Sequence, residues 1–230
     1  MPQSQLELDE VAATLHITQQ EVARMAEQKI LPAQRIKNRW VFRAGEIWNW
    51  MHANLRTLTE RATKKTDDIS DDLIVSNALN PVGVSLQSAA KTKASILREL
   101  AELAGAMDGT IDVKHLREAL QDREGQGSTA LEGGIAVPHP ARVVYAQGPI
   151  IAAANTVQGV PFGGSRGGLT DMFFLVCCPT QKDHLLHLGR LCRLLRDEDL
   201  RKALRAAGDA GDFVDAVRHW EEILCRRGDA

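Results

Sequence analysis

The chain has 230 residues, 44% apolar and 25% charged, the make-up of a globular protein with room for one large domain or two small ones. That composition excludes the disordered, collagen-like and disulfide-scaffold classes, and a formal net charge of -2 gives the chain as a whole no pull towards nucleic acid, membrane or acidic substrate. With no leader-like start, no apolar run long enough for a membrane helix, and Cys177, Cys178, Cys192 and Cys225 lacking any C-x-x-C spacing, a cytoplasmic protein with reduced thiols and no membrane insertion is expected.

Residues 6 to 55 read as short helices around a small hairpin. Leu8, Val11, Ala12 and Leu15 recur at helical spacing, and Thr18 followed by Glu21 makes a capping box that opens a second helix through Gln28. After Leu31 and Pro32, the segment from Arg35 to Phe42 alternates polar and apolar residues about Asn38, as a hairpin does. Gly45 to Leu55 returns to helix with Ile47, Trp48 and Met51 inward. Trp40, Phe42, Trp48 and Trp50 crowd into this stretch, and Trp40, Trp48 and Trp50 read as its core rather than a base-stacking platform; no further aromatic occurs until Tyr145, a shift that points to two differently built units. Thr57 to Asp72 is almost devoid of apolar residues and reads as a linker.

Beyond the linker, Thr92 to Gly105 carries Ile96, Leu97, Leu100, Leu103 and Ala104 on one helical face, and Val113 to Gln121 is a second helix. The period then changes: Gly134 to Val137, Ile150 to Ala154 and Met172 to Cys178 are short apolar runs suited to strands buried on both faces. Asp183 to Leu195, Asp199 to Ala207 and Phe213 to Cys225 are helical again. The expected division is a small domain over 1–56, a linker over 57–72 and a mixed α/β domain over 73–230.

The chemistry concentrates at two histidines. His139 follows the strand ending at Val137-Pro138, and His184 follows the strand ending at Cys178 after one turn; if those strands are parallel neighbours, both rings leave the same carboxyl edge of the sheet, where ligand groups collect. Thr180 and Asp183 form a capping box that puts His184 in the first turn of its helix, with Leu188, Leu191 and Leu195 on the same inward face, near a helix N-terminus that favours an anion such as phosphate. Upstream, Arg123, Ser128 and Thr129 supply a guanidinium fork and two hydroxyls suited to phosphoryl oxygens, and a neutral imidazole is a competent phosphoryl acceptor. His139, His184 and Cys177 or Cys178 lack metal-ligand spacing, so no metal or other cofactor is expected; His52, His115, His187 and His219 read as solvated.

The run Arg123-Glu124-x-x-Gly127-Ser128-Thr129, followed by Gly134-Ile135-Ala136-Val137-Pro138-His139 and by His184-Leu185 at the head of a leucine-rich helix, resembles the enzyme IIA domain of the bacterial phosphoenolpyruvate-dependent phosphotransferase system, fructose/mannitol and nitrogen-regulatory type. The resemblance spans roughly residues 73 to 226 and implies an α/β fold, a IIA-type mixed sheet flanked by helices. It further implies that His139 takes a phosphoryl group from the phosphohistidine of HPr or a nitrogen-branch relative, with His184 and Arg123 around it and Ser128 and Thr129 positioning the group. Pro140 stands where the family commonly has glycine or another small residue, and removes a backbone donor beside the site.

The first domain is similar to winged helix-turn-helix domains of the excisionase/MerR-like kind, on Leu8 to Ala12, Thr18, Ile30 to Ala33, Arg35, Ile36, Trp40, Phe42, Ile47 and Trp50. That likeness implies Gln19, Gln20 and Arg24 facing bases and Arg35, Lys37 and Arg39 neutralising phosphates, in a stretch from 24 to 43 with a local net charge of +5. A homodimer is expected if DNA is bound tightly. Two functions follow: a phosphohistidine relay with a regulatory DNA-binding output, or a plain phosphocarrier serving a separate sugar-specific IIB component, the first domain then docking protein.

Overall fold

In a computed structural model of the chain, whose described residues are 5–15, 18–37, 39–43, 46–47, 50, 73–140, 146–163 and 168–226, the fold divides into two units, Met1–Ile69 and Ser70–Ala230. In the first unit the capping box forms as the sequence implies. Thr18 Oγ1 accepts the Glu21 N–H at 3.2 Å and the Glu21 carboxylate accepts the Thr18 N–H at 3.2 Å, starting α2 (Gln19–Glu27) after α1 (Leu8–Leu15). Val22, Met25 and Ala26 of α2 are buried, as are Val11 and Ala12 of α1 and Leu31, Phe42 and Ile47. Lys29 turns out of α2 at φ 56, which lets the Ile30 and Leu31 N–H groups share the Met25 carbonyl at 2.8 and 3.1 Å.

β2 (Gln34–Ile36) and β3 (Arg39–Arg43) pair antiparallel with Arg35 opposite Trp40, and Lys37 takes φ 47 in the turn between them. A strand not foreseen, β1 (Gln5–Leu6), pairs along the other edge of β3; two residues carry no periodicity to read. Asn38, Trp48, Met51, His52 and the linker expected over 57–72 lie outside the described residues.

The second unit runs α3 (Ile74–Ala78), a 3-10 turn (Pro81–Gly83), β4 (Val84–Ser88), α4 (Lys93–Met107), α5 (Val113–Gly125), β5 (Ile135–Ala136), β6 (Ile150–Val160), β7 (Thr170–Cys177), α6 (Gln181–Leu194), α7 (Glu198–Ala206) and α8 (Ala210–Arg226). Thr92, Asp112, Thr180 and Asp197 cap α4 to α7, each accepting a first-turn backbone N–H. The sheet order is β4-β6-β7-β5, with β6 antiparallel to β7 and the two outer pairs parallel. Ala152 and Ala154 of β6 and Phe173, Leu175 and Cys177 of β7 pack with Ile96, Leu97 and Leu100 of α4 and Leu116 and Leu120 of α5. The intervening residues Ile151, Ala153, Phe174 and Val176 are equally buried, and the Phe174 ring centroid lies 5.9 Å from that of Phe213 on α8. Covered on both faces, these strands are continuously apolar rather than alternating. β6 continues past the expected Ala154 through a register shift between Asn155 and Val160, where polar residues had hidden it. Among the described residues no helix is long and apolar enough to cross a membrane.

One buried carboxylate ties three helices. Glu221 of α8, 0% exposed, accepts the Val75 N–H at 3.0 Å, the Ser76 N–H at 2.8 Å and the Ser76 hydroxyl at 2.6 Å, while Arg190 of α6 lies 3.7 Å away. It supplies the N-terminal cap that Leu73 lacks. Glu221→Ala leaves three buried donors without their acceptor and removes the carboxylate beside Arg190. The expected loss is roughly 3–5 kcal/mol, read as a lower urea midpoint; a midpoint within experimental error of wild type would refute this cap.

Candidate phosphoryl-transfer site

Gly134 precedes β5 because the chain needs φ +78 there and a Cβ would come within 2.6 Å of Asp171 Oδ1. Its carbonyl accepts the Asp171 and Met172 N–H groups at 2.9 and 3.1 Å, which starts the parallel pairing of β5 with β7. Past the strand, the Val176 N–H reaches the Pro138 carbonyl at 3.1 Å, and on the outer side the Val137 N–H reaches the Thr129 carbonyl at 3.1 Å. His139 therefore leaves β5 beside the end of β7, whose own exit passes through Thr180 into α6. The rings of His139 and His184 meet edge to face, centroids 5.4 Å apart and planes at 67°, and are 1% and 3% exposed.

Arg123, in the last turn of α5, reaches the same point. Its Nε–H donates to His139 Nε2 at 3.2 Å and its Nη1–H to the Gly127 carbonyl at 2.9 Å. On the far side of the ring His139 Nδ1 lies 2.8 Å from the Val137 carbonyl, which can only accept. The proton is thus on Nδ1 and the lone pair on Nε2. Burial lowers the Arg123 pKa and the neighbouring Glu124 charge raises it again; the guanidinium remains a cation.

His184 is held well below the usual histidine range, first by burial and then by the adjacent His139 and His187. His187, expected to be solvated, is instead 6% exposed, and its Nδ1–H donates to the Asp183 carbonyl at 2.6 Å. The correction was readable: His184, His187, Leu188 and Leu191 follow one inward helical stripe. His115 and His219 are exposed.

Ser128 and Thr129 lie on the loop between α5 and β5 with their hydroxyl protons already given away. Ser128 Oγ donates to the Phe162 carbonyl at 2.7 Å, and Thr129 Oγ1 donates to Glu124 Oε2 at 2.7 Å. Glu124, 7% exposed, also accepts the Thr129 N–H at 3.1 Å and the Lys93 ammonium at 3.0 Å. Sequence reading assigned no role to Glu124 or Lys93, because a carboxylate beside an arginine at a helix end looks like ordinary surface charge. In the first unit Gln19, Gln20, Arg24, Arg35, Lys37 and Arg39 are all exposed, on α2 and the hairpin, with the Arg35 guanidinium 5.4 Å from the Trp40 ring centroid. Among the described residues no group of three or more His, Cys, Asp or Glu is placed to hold a metal ion. Burial pushes the Cys177 thiol up to about 12 and raises that of Cys178, which disfavours the thiolate form of both.

The sequence profile of the family described as phosphoenolpyruvate-dependent sugar phosphotransferase system, EIIA 2, matches residues 77–220. A nitrogen regulatory protein of Bradyrhizobium diazoefficiens is 34% identical over 141 residues, covering 60% of this chain and 88% of that one. The fructose-specific EIIA component of the phosphotransferase system of Haloferax volcanii is 30% identical over 136 residues, covering 58% of this chain and 88% of that one. The crystal structure of the nitrogen regulatory protein IIA-Ntr of Neisseria meningitidis superposes with a TM-score of 0.55 at 21% identity, covering 63% of this chain and 99% of that one, which shows the same mixed α/β fold.

The depressed His184 pKa links stability to pH. Above the unfolded value of about 6.5 both states are neutral; below it the unfolded chain binds a proton that the buried ring refuses, so stability falls as pH falls, by up to about 1.4 kcal/mol per pH unit. Urea midpoints between about pH 7 and pH 5 should therefore drop more steeply in wild type than in His184→Gln. Equal slopes would contradict the buried neutral imidazole.

Proposed function

The chain belongs, through residues 77–220, to the phosphoenolpyruvate-dependent sugar phosphotransferase system EIIA 2 family, and from that premise we propose that His139 Nε2 accepts a phosphoryl group from the phosphohistidine of HPr or its nitrogen-branch relative. The observation that carries this reading is the 2.8 Å bond between His139 Nδ1 and the Val137 carbonyl, which stores the ring proton away from the reacting nitrogen. In the step, a P–Nε2 bond forms as the donor P–N bond breaks, and that electron pair returns to the donor imidazole. The positive charge left on the His139 ring is shared with the Val137 carbonyl through Nδ1–H. Arg123, which donates to Nε2 before transfer, shifts its fork onto the phosphoryl oxygens, where a buried cation offsets their charge. His184, neutral and edge-on, donates a ring N–H to one of those oxygens without adding a second positive charge beside Arg123. Ser128 and Thr129 position the phosphoryl group by holding the loop in place through Phe162 and Glu124.

Residues 1–56 are proposed to form a winged helix-turn-helix domain whose DNA binding is the output that phosphorylation regulates. Support comes from the exposed Gln19, Gln20 and Arg24 on a capped second helix and from Arg35, Lys37 and Arg39 on the hairpin that follows. The likeness to a fructose-specific EIIA component favours a second reading, a plain carrier passing phosphate to a IIB partner.

Phosphoenolpyruvate, enzyme I and HPr should label the chain, and His139→Ala should abolish the label; a label that survives this change overturns the assignment. At low salt the chain should retard DNA, with Arg35→Ala and Arg39→Ala each weakening binding and reducing the salt slope by about 1. Absence of any shift with fragmented genomic DNA would favour the carrier reading.

A further inference from the structure

The strand that presents His139 lies at the edge of the sheet, and its outer side is held by a ribbon rather than by another long strand. Residues 129–131 pair back against 135–137, through Val137 N–H to the Thr129 carbonyl at 3.1 Å, Leu131 N–H to the Ile135 carbonyl at 2.7 Å and an antiparallel bridge between Ala130 and Ala136. The ribbon begins at Thr129, and Thr129 is clamped by one carboxylate. Glu124 takes both its N–H and its hydroxyl, and on the opposite side takes Lys93 Nζ at 3.0 Å. Lys93 Nζ also lies 4.8 Å from the centroid of the Phe162 ring, and the Phe162 carbonyl holds the Ser128 hydroxyl.

Hydrogen bonds joined through the backbones of Thr129 and Val137 thus connect the Lys93 ammonium, by way of Glu124, to the Nδ1 proton of His139. The same carboxylate is the anion adjacent to Arg123, the cation that faces Nε2. Resting on the phosphotransfer reading above, we propose that Glu124 and Lys93 are positioning residues for His139: Glu124 anchors the ribbon that aims the Val137 carbonyl at Nδ1 and offsets the buried Arg123 charge, and Lys93 holds Glu124 in place. Neither touches the phosphoryl group. Their effect is on which nitrogen carries the proton and on how steadily Nε2 faces the donor.

The two substitutions that separate this from simple packing are Glu124→Gln, which keeps the shape and removes the charge, and Lys93→Met, at a side chain 38% exposed that the fold can lose. The full chain with 15N-labelled histidine is read by NMR, and labelling by phosphoenolpyruvate, enzyme I and HPr is timed in parallel. Wild type should show His139 protonated on Nδ1 alone. Both variants should show a mixture of ring tautomers and slower labelling, about 10- to 100-fold, with Lys93→Arg restoring the ring signals and most of the rate. Unchanged ring signals in folded Lys93→Met and Glu124→Gln overturn the proposal, whether labelling is unchanged or slowed, since any loss then arises elsewhere. If Glu124→Gln fails to fold, Lys93→Met and Lys93→Arg decide alone. Wild-type chain that takes no label while the variants still shift the His139 tautomer refutes the phosphotransfer reading and leaves the positioning role standing.

Discussion

The bond between His139 Nδ1 and the Val137 carbonyl is the constraint on which the rest of the site depends. In a histidine 1% exposed, the nitrogen left with the lone pair is decided by what the other nitrogen touches. A carbonyl two residues back along the same chain reaches the ring because β5 ends there, held on one side by β7 and on the other by the ribbon from Thr129. The parallel pairing of β5 with β7 does a second job, bringing the first turn of α6 and His184 to the same edge.

Charge around that ring is balanced rather than accumulated. Arg123 is the buried cation at Nε2, Glu124 beside it compensates, Lys93 compensates Glu124 from a half-exposed position, and His184 stays neutral under burial and the influence of two other histidines. The Arg123 cation donates to the imidazole lone pair and to the Gly127 carbonyl. A planar guanidinium fork of this kind suits phosphoryl oxygens.

Much of this was legible in the residues because local signals and tertiary demands agree. The capping box at Thr18 and the N-cap at Thr180 open the helices they announce, the apolar runs at 135, 150 and 172 lie in buried strands, and the Arg123 to Thr129 and Gly134 to His139 segments fall within the residues that match the family profile. What escaped depends on long-range partners. Val84–Ser88 is a strand only because β6 lies beside it; Glu221 interrupts an apolar stripe on α8 for the sake of helix starts 145 residues away. Glu124 looks like a surface acid until Thr129 and Lys93 close on it, and His187 reads as solvated only if its spacing from His184 and Leu191, which marks the inward face, is overlooked.

The ring nitrogen on which phosphorus is found is the sharpest readout of how this site is wired. After labelling of the full chain by phosphoenolpyruvate, enzyme I and HPr, NMR coupling between phosphorus and the 15N-labelled imidazole distinguishes the two ring positions. Phosphorus is expected on Nε2 of His139, with Nδ1 still facing the Val137 carbonyl. Phosphorus on Nδ1, or on any other histidine, would contradict this wiring.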